Sequence, residues 1–240
     1  MTYHTRTPDS VRQYSHVLYG YSTFSIQYSA APFPSESVSM TPKDRLGTVV
    51  GKTLRVRLTS ILRSGAQGVV YSAVDDRDLT DKVRYAVKCL SKVSSKGELQ
   101  LEDRMNEIRL HEKASSHPNV VSILEVFDDG HSNCIFIIFD YFSEGDLYVY
   151  INRGLYVGNE GLVKKIFLQI IDAVLHCHSL GIFHGGLKPD DILVTDDGQT
   201  AKLAGFSLAT SDKSSKEFRR GSDSYMSPGN LQHNSSASSR

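Results

Sequence analysis

Residues 161–180 most narrow the folds open to this chain. Leu162, Ile166, Phe167, Ile170, Ile171, Val174 and Leu175 recur there at helical spacing, and Gly181 follows as a stop. The stripe predicts a long amphipathic helix that serves as core and takes no direct part in chemistry. Directly after it runs His184-Gly185-Gly186-Leu187-Lys188-Pro189-Asp190-Asp191-Ile192-Leu193-Val194. The turn Thr195-Asp196-Asp197-Gly198-Gln199 and the strand Ala201-Lys202-Leu203 complete a β-hairpin.

Upstream the texture is that of strands. Leu54-Arg55-Val56-Arg57-Leu58 alternates like a half-exposed strand. Ile61 and Leu62 lead into Arg63, Gly65 and Gly68, then Val69-Val70-Tyr71-Ser72-Ala73-Val74, a hairpin with a glycine turn. Arg84-Tyr85-Ala86-Val87-Lys88-Cys89-Leu90 reads as the next strand and sets Lys88 in an apolar run. A lysine there must snorkel out or meet a carboxylate. Residues 97–116 form the next helical segment, with Met105, Ile108 and Leu110 on its apolar side and Glu107 among them. His117-Pro118-Asn119 makes a turn, and residues 122–127 and 135–139 read as strands joined through Asp128-Asp129-Gly130-His131. Asp146, ahead of Leu147-Tyr148-Val149-Tyr150, reads as a helix N-cap.

In this order the motifs resemble those of the eukaryotic Ser/Thr protein kinases, from about residue 54 to Pro228. Arg63, Gly65, Gly68 and Val70 fall on the glycine-rich loop G-x-G-x-x-G-x-V, with Arg63 at its first glycine. Ala86-Val87-Lys88 resembles the third-strand lysine motif, and Glu107 falls on its helical partner. Phe139-Asp140-Tyr141-Phe142 is similar to the hinge between the lobes, and Gly145-Asp146-Leu147 to the entry of the C-lobe. His-Pro-Asn and Asp140-Tyr141 ahead of Gly145-Asp146-Leu147 resemble the wording of fungal members. The resemblance implies an α+β, bilobal protein-kinase-like fold, with a β-rich N-lobe carrying one helix. The C-lobe is expected to be partial, mainly helical and truncated after the activation segment. Residues 1–48 are expected to be a disordered tail bearing Tyr3, Tyr14, Tyr19, Tyr21 and Tyr28. The N-lobe then covers 49–139, the partial C-lobe 140–230, and a polar tail 231–240.

The resemblance also implies ATP as cofactor. Val70, Ala86 and Leu193 would sandwich the base, Asp140 and Phe142 would border it at the hinge, and Asp146 would reach the ribose. Gly65, Gly68, Lys88 and Glu107 would hold the phosphates. The catalytic parts depart from the pattern. His184-Gly185-Gly186 stands for His-Arg-Asp, so Gly186 replaces the base, while Lys188 is retained. Asp191 replaces the metal-binding Asn, and Gly205-Phe206-Ser207 stands for Asp-Phe-Gly, so Gly205 replaces the main magnesium ligand. Asp191 alone is left to hold magnesium, and weakly. Gly185 removes the usual counter-charge for a phosphorylated activation segment. Gly221-Ser222-Asp223-Ser224-Tyr225-Met226-Ser227-Pro228-Gly229 ends that segment, with Gly229 in place of the final Glu. The expectation is a pseudokinase that binds ATP and acts through protein contacts. The alternative is a low-activity Ser/Thr kinase that uses Asp190 or Asp191 as a substitute acid.

Composition sets the remaining bounds. Lys plus Arg and Asp plus Glu both number 27 in 240 residues, so net charge is zero. That balance points away from nucleic acid and anionic membranes. The longest purely apolar run, 134–139, is far too short to span a bilayer. Cys89, Cys134 and Cys177 each lie in an apolar run, as buried thiols do in a reducing compartment. Together these predict an intracellular protein, cytoplasmic or nuclear, with protein partners.

Overall fold

The computed structural model describes residues 41–213 and 221–226, except positions 66, 79, 81, 95, 129 and 131. Its first lobe is one antiparallel sheet. The strands are β1 (Val49–Val50), β2 (Val56–Gly65), β3 (Gly68–Asp75), β4 (Arg84–Ser91), β5 (Ile123–Phe127) and β6 (Cys134–Asp140), in the order β1-β2-β3-β4-β6-β5. In β6 the run from Cys134 to Ile138 is buried throughout, which explains why it is apolar rather than alternating. One face of the sheet packs Tyr71, Val87, Phe136 and Ile138, and the other packs Leu90, Ile135 and Ile137 against Ile108.

Ile108 belongs to helix α1 (Leu101–Ala114), which lies between β4 and β5 in sequence. The helix starts later than residue 97, because Gly97 has φ +82° and residues 94–98 close a turn first. Leu110 and Ala114 of the same helix join the core of the second lobe. That lobe holds α2 (Leu147–Asn152), α3 (Glu160–Ser179) and the hairpin of β7 (Ile192–Thr195) with β8 (Thr200–Leu203). Its core gathers Ile166, Ala173 and Cys177 from α3 with Ile182, Ile192, Val194, Leu203 and Phe206. All three cysteines are buried and free.

Two further expectations need correction. Residues 41–48 belong to the folded lobe, although the pattern put them in the tail; residues 1–40 lie outside the described residues. Asp44 accepts from the Thr41 amide at 2.7 Å, Tyr71 donates to the Pro42 carbonyl at 3.0 Å, and the Arg45 guanidinium lies over Phe136. This segment is held by polar contacts, which leave no hydrophobic period to read. Just beyond it, the Glu125 carboxylate accepts from the amides of Lys52, Thr53 and Leu54, with two of the bonds at 2.6 Å.

The second correction concerns α3, which is only half core. Ile166 is 4% exposed, and Leu162, Ile170 and Val174 pack at the edge of the core. Phe167 and Leu175, expected inside, are 60% and 59% exposed, and Ile171 is exposed beside them. The apolar stripe is wider than the face one core can cover, so the helix shows two apolar sides and buries one.

Candidate functional site

The cleft between the lobes collects the chemistry-bearing residues. On the sheet side, Val70 of β3 pairs with Arg63 of β2 and with Lys88 of β4. In-register residues on neighbouring strands share a face, so all three line one row. Lys88 Nζ lies 2.5 Å from Glu107 Oε1, with the two side chains 15% and 4% exposed. The apolar strand thus obtains the carboxylate it requires. Glu107 Oε2 is buried without a hydrogen-bond partner. Gly65 and Gly68 face each other across the hairpin turn. A Cβ on Gly68 would lie 2.5 Å from the Cys89 carbonyl, whereas one on Gly65 would meet nothing within 4 Å. The turn is therefore packed on one side and open on the other.

Val70, Ala86 and Leu193 are each half-buried, and none joins a core cluster. Apolar side chains left out of the core in this way are what a slot for an apolar ring needs. Asp140 ends β6 in an exposed position, and Phe142 follows half-buried. Asp146 Oδ1 caps α2 by accepting from the Val149 amide at 3.0 Å, and its backbone bridges to Leu193. Its carboxylate is thus already engaged in the helix cap.

The catalytic loop is anchored from behind. His184 Nε2 donates to the Ala204 carbonyl at 2.7 Å, and its ring meets Phe206 edge-on at 5.1 Å. Phe206 also stacks on His111 at 4.4 Å, and His111 Nε2 donates to the Val121 carbonyl at 2.8 Å. Burial lowers both histidine pKa values, His111 to about 3, so both rings are neutral near pH 7.

At the front, neighbouring groups stand close against Gly205 and Gly186. Gly205 has φ +79°, and a Cβ there would fall 2.5 Å from Asp191 Cγ. The Asp191 carboxylate therefore lies where a residue-205 side chain would begin. Burial pushes its pKa up to about 6, opposed by the charges of Lys188, Arg63 and Lys88. A Cβ on Gly186 would meet Leu208 Cδ1 at 2.9 Å, so Leu208 leans over the position of the absent base. Lys188 Nζ donates to Ser222 Oγ at 3.1 Å. These groups and Ser207 border a cavity of about 300 Å³. Arg63 crosses to the loop, with Nη2 3.2 Å from Asp190 Oδ1 and Nη1 donating to the Asp190 carbonyl at 3.2 Å.

The structure thus brings Lys88, Glu107, Lys188 and Asp191 to one cleft beside Gly186 and Gly205. Leu208 and Ser222 were not singled out by the sequence reading, because loop-to-loop contacts leave no period. The one available signal was volume: a glycine at 186 leaves room that some neighbour must fill. Ser227, Pro228 and Gly229 lie outside the described residues.

A curled sheet with one helix, a hinge and a helical second lobe whose loop lies across the cleft define a bilobal protein kinase fold. Residues 57–240 match the protein kinase domain model, and the chain belongs to that family, with Ser/Thr kinase relatives in fungi. It is 43% identical over 188 residues to the negative regulator of sexual conjugation and meiosis of Schizosaccharomyces pombe, covering 78% of this chain and 38% of that protein. It is 35% identical over 153 residues to the serine/threonine-protein kinase ksp1 of the same yeast, covering 61% of this chain and 31% of the relative. With KSP1 of Saccharomyces cerevisiae the figures are 35% over 143 residues, 58% and 13%. The chain therefore spans well under half the length of each of these relatives.

Protein kinase domains bind ATP with Mg²⁺. The ATP side of that pair fits the residues present: the Lys88–Glu107 pair is formed and the glycine turn is open. The metal side is reduced to one group. Gly205 offers no donor, and Asp191 is a single, largely buried carboxylate, whereas Mg²⁺ in nucleotide sites is usually held by one or two carboxylates together with phosphate oxygens and waters. Among the described residues, no helix is long and apolar enough to cross a membrane.

Proposed function

We propose that this kinase domain binds ATP between its lobes without transferring phosphate, and acts through protein contacts as a pseudokinase. The observation that carries the reading is the mismatch between the two halves of the cleft. Lys88 and Glu107 are paired as a phosphate grip requires, while Asp191 fills the space of the missing metal ligand and Leu208 that of the missing base. A positioned general base contributes roughly 10²–10⁴ in rate. Each lost group that stabilises transferring charge costs on the order of 10²–10³. From a family turnover of about 1–100 s⁻¹, either loss leaves little.

The second reading, a slow kinase with Asp190 or Asp191 as acid, has less support. Asp190 is engaged by Arg63, and Asp191 is turned back against Gly205. The S. pombe relative is named as a negative regulator, and a regulatory role is the aspect we carry to this chain. Its neutral net charge favours a protein partner over nucleic acid or an anionic membrane, in the cytoplasm or nucleus.

The test is thermal unfolding of the purified chain with and without ATP, in magnesium and in EDTA, beside a phosphate-transfer assay at high protein concentration. The expected outcome is stabilisation of similar size in both buffers and no transfer. A ligand at a hundredfold excess over its Kd stabilises by about 2.7 kcal/mol. Transfer that Lys88→Ala abolishes would establish the slow kinase instead, and no stabilisation in either buffer would remove ATP from the reading.

A further inference from the structure

Arg63 is the residue that sets this glycine-rich turn apart, and its side chain does not point idly into solvent. It spans the mouth of the cleft to Asp190, which lies 127 positions away in sequence. We propose that Arg63 is a polyphosphate-binding residue that stands in for the missing metal, with Asp190 holding it in place until a nucleotide arrives. The proposal rests on the nucleotide-binding reading above and deepens it.

The sheet register is the first support. Arg63, Val70 and Lys88 form one cross-strand row, with Val70 the direct partner of both cations. Two strand spacings separate Arg63 from Lys88, roughly 10 Å at the backbone, and both side chains share the cleft face. A phosphate chain entering beside Val70 would lie between a lysine and an arginine.

Charge is the second support. A nucleotide triphosphate brings several negative charges, and without a divalent ion they need another counter-charge. Lys88 is already matched by Glu107, with both side chains largely buried. Arg63 is paired with Asp190 at the open mouth of the cleft. Its side chain is 50% exposed, and an ion pair so open to water contributes little. A phosphate offers the planar guanidinium two parallel charge-assisted bonds, a better match than one carboxylate oxygen and one carbonyl. The open side of Gly65, where a Cβ would touch nothing within 4 Å, leaves the approach clear.

The experiment is a titration of the full chain in EDTA with ATP and, separately, with adenosine, for the parent and for Arg63→Gln, which keeps a polar side chain at the position. The expected result is a loss of ATP affinity of about tenfold or more, unchanged adenosine affinity, and an ATP difference that shrinks as salt rises. Asp190→Asn, which removes the carboxylate charge from the guanidinium and leaves only the main-chain bond, is expected to tighten ATP and leave adenosine alone. ATP affinity that is unchanged or improved in Arg63→Gln overturns the assignment. So does an equal loss for both ligands, which would mean a damaged pocket. A parent chain that binds neither ligand removes the nucleotide-binding reading itself, whereas one that binds both alike leaves that reading standing and removes only the role of Arg63.

Discussion

Asp191 carries the most consequential titration in the cleft. Burial raises its carboxyl from an ordinary 3.8 to about 6, and the neighbouring cations recover only part of the loss. The folded chain therefore holds this proton more tightly than the unfolded chain does. The ionised form costs stability at all pH values above about 6, and that cost disappears as pH falls through 6 toward 4. Asp191→Asn removes the ionisation and restores the family residue. The variant should exceed the parent by about 1–2 kcal/mol in urea unfolding at about pH 8, after allowance for partial exposure. The gap should close by about pH 4; a gap that stays constant with pH would reflect packing alone. The sequence made the Lys88–Glu107 pair legible, because a lysine inside an apolar strand has few physical ways out. It did not make the contact between Asp191 and Gly205 legible. That contact joins two loops, and a glycine in a sequence does not say what occupies the space beside it. The Arg63–Asp190 pair was hidden for the same reason.

Among elements, α3 separates what periodicity reveals from what it leaves open. The spacing located the helix within one residue at each end, and it identified Ile166 as core. It then extended the core to Phe167, Ile171 and Leu175, because hydrophobic spacing reports the amphipathic character of a helix and carries no record of which neighbours exist to cover it. The two faces should respond differently. Ile166→Ala should cost about 2–5 kcal/mol, since it opens a cavity in a packed core. Phe167→Ala should change stability by less than about 1 kcal/mol, because the ring is already more than half in solvent. Chemical denaturation of the two variants checks this, and equal losses would mean that the Phe167 face is covered in solution. The N-terminal turn at residues 41–48 was missed from the opposite direction: its order comes from caps and a cation over an aromatic ring, so there was no stripe to find.

Across the whole molecule, α1 ties the lobes into one object. Ile108 enters the sheet core, Leu110 and Ala114 enter the core of the second lobe, and Glu107 of the same helix holds Lys88. The cleft is thus framed by a connected scaffold, and neighbours within that scaffold crowd Gly186 and Gly205. On the reading proposed above, returning single residues to the family pattern should not by itself give phosphate transfer. Gly205→Asp forces a Cβ into the left-handed region, at about 1 kcal/mol or more, and drives a second carboxylate into Asp191. Its melting temperature should fall, and adding Asp191→Asn should recover part of the loss. A double-mutant cycle reads the coupling directly, and strictly additive effects would contradict the overlap. At Gly185 the backbone has φ +75°, and a Cβ would stand 2.4 Å from the Leu208 carbonyl oxygen. A flexible side chain can step aside, but a peptide group held by its own strand of contacts cannot. The departure from the family pattern therefore acts as a ratchet. An arginine arriving at 185 would meet a closed door before it met any phosphate, and selection for transfer would have to move the main chain first.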